Sequence, residues 1–506
     1  MSADGRVFAV RTAFIRGVEA APVTVEVSMS GGIPGIALVG MADSGVLEAR
    51  GRIRCALRSA GYEIPRASIT VNLAPGDMRK SGSGFDLPIA VAILAASHQI
   101  PADGLDGCLI VGELGLDGSV CPVRGEVAYQ LLARDRALTL ATAPSDAHVP
   151  LDGVACGTIA HIGALRLGVP RALGAPRAAT ACAARGAEPD YADVIGQEVA
   201  KRGLAIAAAG GLGLLMVGSP GAGKSMLAER MTSILPTIDE RERQEALCIH
   251  SVRGEPVEGL LAGRRPFRSP HHSISAAGLA GGGRPVAPGE ISLAHGGVLY
   301  LDELAEFPSS VLQTLRQPME SGRIRIVRAE GAYTFPARFQ LLAASNPCPC
   351  GHLGDREVAC TCPPAAVERY RAKLSGPLAD RIDLCIDVAR PDPELIVRGA
   401  QGACSADLRA QVERGRAFTA WRTHRSRPAA EGSAEGIEGA VAAFGLDEGA
   451  GRTLVRIART GKLTARGIVR VCRIARTVAD MAESERVRRE HVLEASMFRG
   501  RTADER

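Results

Sequence analysis

"GLLMVGSPGAGKSMLAERM", residues 213–231, decides how the rest of this chain is read. An apolar strand runs into Gly218, Ser219, Pro220, Gly221, Ala222, Gly223, Lys224 and Ser225, and a helical pattern follows. Strand, G-x-x-x-x-G-K-S and helix in this order predict a phosphate-binding loop. Glycines let the backbone curl so that its N–H groups point at phosphate, and the positive end of a helix adds to the attraction. Lys224 would reach the β- and γ-phosphates of ATP, and the Ser225 hydroxyl would meet Mg²⁺. The chain has 55 Arg and only five Lys, so a lysine here is informative. The blander alternative is a glycine-rich turn without a ligand.

Two further strands fit around this loop. "GGVLYLDEL" (296–304) is an apolar strand ending in Asp302 and Glu303. Acids at the carboxyl end of a parallel strand lie where such sheets bind ligands. Asp302 would hold Mg²⁺, directly or through water, and Glu303 would polarise the attacking water. "FQLLAASN" (339–346) ends in Asn346, whose amide can fix that water or touch the γ-phosphate. Arg381, in "LSGPLADRIDL" (374–384), is in a position that often serves a neighbouring subunit's ATP. A solvated acidic pair, a turn asparagine and a surface arginine are the plain alternatives.

At 506 residues, two or three domains are expected. Hydrophobic content of 46% with 23% charged residues fits a water-soluble chain, and 3% aromatics require cores of Ala, Val, Leu and Ile. The net charge of +5 permits a polyanionic partner without demanding one. No apolar run reaches the ~18 residues of a membrane span, and no secretory signal opens the chain. Nine of the 13 cysteines stand singly, which points to a reducing compartment, the cytoplasm.

Residues 1–170 alternate short strands with helical runs, as in "SITVNLA" and "DLPIAVAILAAS". Residues 171–189 are aperiodic and rich in Ala, Gly, Pro and Arg, a linker composition. Residues 190–390 again alternate strands and helices in an α/β pattern. Residues 391–506 are mainly helical.

Taken together, these stretches resemble the AAA+ ATPases. More narrowly, the chain is similar to the Mg-chelatase-like family of competence-protein type, related to magnesium-chelatase ATPase subunits and MCM helicases. "FRSPHHSISAAGLAGGG" (267–283), "PGEISLAHGGVLYLDELAEF" (288–307), "NPCPCG" (346–351), "LSGPLADRIDL" and "LTARGIVRVCRIARTVADM" (463–481) carry the resemblance. It implies an AAA+ P-loop core with a C-terminal helical lid. It implies that Asn346 is sensor 1, Arg381 the arginine finger and Arg466 the sensor 2 arginine on the lid. It also implies a ring, typically a homo-hexamer, with the finger reaching the next subunit's ATP.

"VEVSMSGGIPGIALVGMADSGVLEARGRIRCAL" (25–57) and "ITVNLAPGDMRKSGSGFDLPIAVAILAA" (69–96) resemble the N-terminal domain of the same family, an α+β fold of Lon-protease (ribosomal S5 domain 2) type. A serine–lysine pair needs a lysine placed to take the serine proton. After Ser83 the next lysine is Lys201, and Lys80 comes too early. The domain therefore reads as non-catalytic, with a docking or regulatory role toward a protein partner.

"NPCPCGHLGDREVACTCPP" (346–364) crowds Cys348, Cys350, Cys360 and Cys362 directly after the Asn346 strand. Two Cys-x-Cys pairs can supply four thiolates to Zn²⁺, with His352 a possible substitute. Free thiols and a redox-sensitive cluster are the alternatives. His271-His272 is a weak metal signal, read as part of a loop near the nucleotide. "SGRIRIVRAEGAYTF" (321–335) reads as a β-hairpin carrying Arg323, Arg325 and Arg328. In MCM-like relatives such a hairpin contacts DNA in the channel, whereas a charged edge hairpin needs no such role. Arg466, Arg470, Arg473 and Arg476 repeat at helical spacing, which a solvated face explains as well as DNA does. Two functions are carried forward: an ATP-driven DNA motor with helicase or branch-migration activity, and an ATPase that remodels a protein or chelatase partner.

Overall fold

The computed structural model describes residues 7–499 apart from 42, 147, 178–188, 330, 356–357, 375–380, 391–393, 395–396, 398–401 and 427–442. Most of the expected linker, part of the segment before Arg381 and the start of the expected helical domain lie outside the described residues.

Five parallel strands form the central sheet. Across it they run Phe267–Arg268, Val298–Leu301, Gln340–Ser345, Leu214–Val217 and Leu384–Asp387. In chain order this is second, third, fourth, first and fifth. The chain thus returns to lie beside its first strand and then crosses to that strand's other side. Crevices at such reversals, beyond the carboxyl ends of the strands, are where open α/β sheets hold ligands. Val298–Leu301 and Gln340–Ser345 are buried along their whole length, which is why both read as mainly apolar runs, with Gln340 tolerated because it donates to the Ala207 and Leu212 carbonyls. Gly297 sets the entry of its strand: a Cβ there would lie 1.9 Å from the Pro266 carbonyl oxygen.

The C-terminal helices cover one face of this sheet. Ser405–Ser426, Glu448–Thr460, Ala465–Met481 and Arg489–Met497 pack with the helix Glu198–Gly210. Leu204, Leu214, Met216, Val412, Val471 and Phe498 share one core. Asp480 is buried in it and stays bearable only because it is fully bonded. It accepts two 3.0 Å bonds from Arg422 and one from Thr419, with Arg476 at 2.9 Å.

Before the sheet lies a smaller α+β unit. Strands Phe8–Arg16, Glu19–Ser30 and Ser68–Ala74 are antiparallel neighbours, and Gly35–Val39 adds to the last in parallel. The helix Asp86–Ala96 is buried on all sides, as its continuous apolar run requires. Asp86 at its start sits against Arg52 at 2.7 and 3.0 Å. Burial raises the Asp86 pKa, and Arg52 opposes that rise. Val18, Val127 and Val149 of this unit share a core with Ile238, Leu247 and Phe335, so its flank is packed on the part that carries the five-stranded sheet. The Gly125 N–H donates across that seam to the Ser251 carbonyl at 3.1 Å.

Candidate nucleotide site

The loop from Gly218 to Gly223 leaves the central strand Leu214–Val217 at its carboxyl end. A Cβ on Gly218 would come within 2.2 Å of the Val388 carbonyl oxygen, so the fifth strand passes too close for any other residue. Gly221 and Gly223 take φ values of 78° and 88°, the left-handed region that turns successive N–H groups to one side. Gln197, itself left-handed at φ 60°, ties the loop down. Its amide donates to Ala222 at 3.3 Å and to Ala389 at 2.5 Å.

Lys224 is buried and points back into the loop. Its amine donates to the Gly218 carbonyl at 2.6 Å, the Ser219 carbonyl at 3.1 Å and Asn346 Oδ1 at 3.1 Å. Burial pushes its pKa down, and Asp302 and Glu303 oppose the shift. Ser225 donates to Asp302 Oδ2 at 3.0 Å. Asp302 Oδ1 accepts the Glu303 N–H at 2.9 Å. Glu303 has φ 50°, a left-handed conformation that costs a non-glycine residue on the order of 1–3 kcal/mol and tends to persist at functional sites. His272 Nδ1 lies 3.4 Å from Glu303 Oε2. One lysine, one hydroxyl, two carboxylates and one amide thus meet at the carboxyl ends of three adjacent strands.

Three family models match the chain. Residues 25–146 match "Subunit ChlI of Mg-chelatase", 190–395 match "Magnesium chelatase, subunit ChlI", and 402–499 match "Magnesium chelatase, subunit ChlI C-terminal". The chain is 40% identical to uncharacterized protein YifB of Escherichia coli, over 97% of this chain and 96% of that one. It is 39% identical to competence protein ComM of Haemophilus influenzae, over 96% and 95%. Similarity to the magnesium-chelatase 67 kDa subunit of Chlorobaculum parvum is 29%, over 31% of this chain and 23% of that one. This chain belongs to the Mg-chelatase-like ATPase family.

In this member of the Mg-chelatase-like family the two expected arginines lie together, away from the glycine-rich loop 218–223. Arg316, Arg381, Arg466 and Arg473 line one cavity of about 510 Å³ with Gly213 and Asp383. Gly213 and Asp383 precede their strands, so this cavity opens at the amino edge of the sheet. Lys224 sits past the opposite edge, a strand length of about 13 Å away at 3.3 Å per residue. Arg381 pairs with Glu320, and Arg473 with Asp383 at 2.8 Å. Burial and then the neighbouring guanidinium groups of Arg316 and Arg466 push the Arg381 pKa down. Lys224, Ser225, Asp302, Glu303 and Asn346 therefore gather at one end of the sheet, and Arg381 and Arg466 at the other.

The thiols gather as well. Cys348, Cys350, Cys360 and Cys362 hold their sulfurs within 4.8 Å of one another. Hydrogen bonds from the His352 and Thr361 backbones push the Cys350 thiol down to about 5. Sequence reading passed over Gln197, and it placed His272 near the nucleotide without a partner. The Gly196-Gln197 pair before a helix gave only a turn signal, and nothing local tells that its amide bridges residues 222 and 389.

Proposed function

We propose that this protein is an ATP-hydrolysing AAA+ motor that works on DNA as a ring, a homo-hexamer, in the cytoplasm. The observation that carries the ATPase reading is the convergence of Lys224, Ser225, Asp302 and Asn346 on one loop. A triphosphate entering the loop offers Lys224 oxygens in place of the two carbonyls it now bonds. Mg²⁺ bound by Ser225 and Asp302 supplies neutralisation of the charge that develops between the β- and γ-phosphates. Glu303 polarises the attacking water, and Asn346 orients it. Arg381, half-buried, and Arg466, exposed, lie on the far edge of the sheet, and both are lent to the ATP of the next subunit. A head-to-tail contact of this kind closes into a ring.

Three observations support DNA as the substrate. The hairpin Arg323–Arg328 and Gly331–Pro336 presents Arg323, Arg325 and Arg328 to solvent, while Ile324 and Phe335 root it in the core. A cavity of about 490 Å³ between this hairpin and the N-terminal unit is lined by Arg16, Arg79, Arg284 and Arg328. The competence protein ComM, which this chain matches over nearly its whole length, is named for competence. Helicase or branch-migration work in recombination or natural transformation is the activity inferred. Remodelling of a protein or metal-chelatase partner is the second reading, favoured by the magnesium-chelatase family models and by the short match to the 67 kDa chelatase subunit.

The N-terminal unit is taken as Lon-like and non-catalytic. Lys80 is buried with its amine on the Pro75 carbonyl, and Ser83 donates to Glu113. Neither is spent on the other, which supports a docking role toward a protein partner. No described helix is long and apolar enough to cross a membrane. The deciding experiment is ATP hydrolysis with and without single-stranded or branched DNA at rising salt. DNA stimulation that falls steeply with salt is expected. No binding and no stimulation at low salt removes the DNA reading.

A further inference from the structure

The three readings left open for the cysteines of the loop after Asn346 differ in the sulfur–sulfur distances they require. In a tetrahedral zinc–thiolate site each sulfur stands ~2.3 Å from the metal, which puts the sulfurs about 3.8 Å from each other. Here Cys348 Sγ is 3.4 Å from Cys350 Sγ and 3.6 Å from Cys360 Sγ, and Cys350 and Cys360 are 3.6 Å apart. A disulfide would need ~2.0 Å, and all four are free. Four unligated thiols have no reason to converge from two chain segments. The segments hold little apolar surface of their own; Cys348 is their one buried hydrophobic residue. The Cys350 N–H donates to Cys362 Sγ at 3.3 Å, an N–H···S contact of the kind that orients a thiolate ligand. Gly351 and Gly354, at φ 83° and 81°, make the turns that bring the sulfurs together.

The same loop touches the phosphate loop. A Cβ on Gly351 would be 2.6 Å from Pro220 Cδ, so backbone of the cysteine loop lies directly against the ring of Pro220. Arg390 Nη2 donates to the Pro220 carbonyl at 3.4 Å and lies 3.7 Å from Asp355 of the cysteine loop. Asn346, two residues before Cys348, accepts from Lys224. Three contacts therefore join one small thiol-rich loop to Pro220 and Lys224.

We infer that Cys348, Cys350, Cys360 and Cys362 hold one zinc ion, and that this zinc site braces the phosphate loop and Asn346 in their ATP-binding arrangement. On loading, four Zn–S bonds form and the thiol protons pass to solvent; no electron is transferred. This brace rests on the ATPase reading of Lys224 and Asn346; the metal site does not.

The test uses the full chain purified without chelator under reducing conditions. Elemental analysis is expected to give about one zinc per chain. Cobalt substitution is expected to give the ligand-field bands of a tetrahedral thiolate site. Zinc removed with a chelator should weaken binding of a fluorescent ATP analogue at least tenfold, and restored zinc should recover it. Cys360→Ser with Cys362→Ser, which leaves the Asn346 end of the loop intact, should lose the metal and the same affinity. If these variants misfold, the removal and restoration on the wild-type chain still decides. Absence of zinc, or a cobalt spectrum without thiolate ligation, overturns the site. Zinc present with nucleotide affinity unchanged on its removal overturns the brace. Lys224→Ala separates the two readings: it should abolish nucleotide binding and keep the zinc. A wild-type chain that holds zinc but never binds ATP defeats the ATPase reading instead.

Discussion

Replacing Gly351 by Ala tests whether the cysteine loop and the phosphate loop are mechanically joined, because Gly354 offers a matched control. Both glycines are left-handed, at φ 83° and 81°. An L-residue in that region costs about 1–2 kcal/mol, and both variants carry this strain. They differ in surroundings. The Cβ at 351 would stand 2.6 Å from Pro220 Cδ, whereas nothing lies within 4 Å of the Cβ at 354. Carbon atoms prefer roughly 3.5–4.0 Å, so the phosphate loop must move by about 1 Å in the first variant only. Overpacking of this kind costs about 1–3 kcal/mol. If that cost falls on the ATP-binding arrangement, Gly351→Ala binds ATP about 5- to 150-fold more weakly than Gly354→Ala. Titration of both variants with a fluorescent ATP analogue and Mg²⁺ reads the difference, with zinc content and melting temperature measured alongside. Equal dissociation constants in two folded variants would refute the coupling: the cysteine loop would then yield without disturbing Pro220.

Glu303→Gln should leave ATP binding intact and slow hydrolysis by about 10²–10⁴-fold, the usual worth of a positioned general base, trapping ATP in assembled rings; single-turnover hydrolysis checks this. Arg381→Ala and Arg466→Ala should each bind ATP normally yet lose turnover, and mixing either with Lys224→Ala should restore part of it, since each supplies what the other lacks across the interface. Full hydrolysis by a monomeric Arg381→Ala chain would contradict the placement in trans. Removing Arg323, Arg325 and Arg328 together should lower the slope of log affinity for DNA against log salt by up to about three, and an unchanged slope would exclude the hairpin from the contact. His250 is buried, which pushes its pKa down. The unfolded chain takes up a proton near pH ~6.5 that the folded chain refuses, so this residue's share of stability is full above that pH and is lost as pH falls below it, by at most about 1.4 kcal/mol per pH unit. His250→Leu should therefore flatten the fall in melting temperature between pH 7.5 and 5.5, whatever it does to stability at pH 7.5.

What the sequence determined by itself was local. A phosphate loop is set by eight consecutive residues, because glycine conformations and the strand before them leave the backbone few other shapes. The strands ending in Asp302 and Asn346 were legible for a related reason: buried on both faces, they are apolar along most of their length, and the polar residue that ends each run marks the ligand edge. The helix Asp86–Ala96 and the arginine hairpin were legible in the same way, from continuous burial and from alternation. Tertiary structure alone decided the rest. Arg381 and Arg466 are 85 positions apart, and only the packing of the C-terminal helices on the sheet brings both to its amino edge, away from Lys224. Gly351 meets Pro220, Gln197 bridges residues 222 and 389, and His272 reaches Glu303, each across a distance in sequence that no periodicity encodes. Spacing of one residue between paired cysteines left their use open as well. A local rule fixes which way a chain turns, but which distant turn it meets is set by how the whole apolar surface is buried.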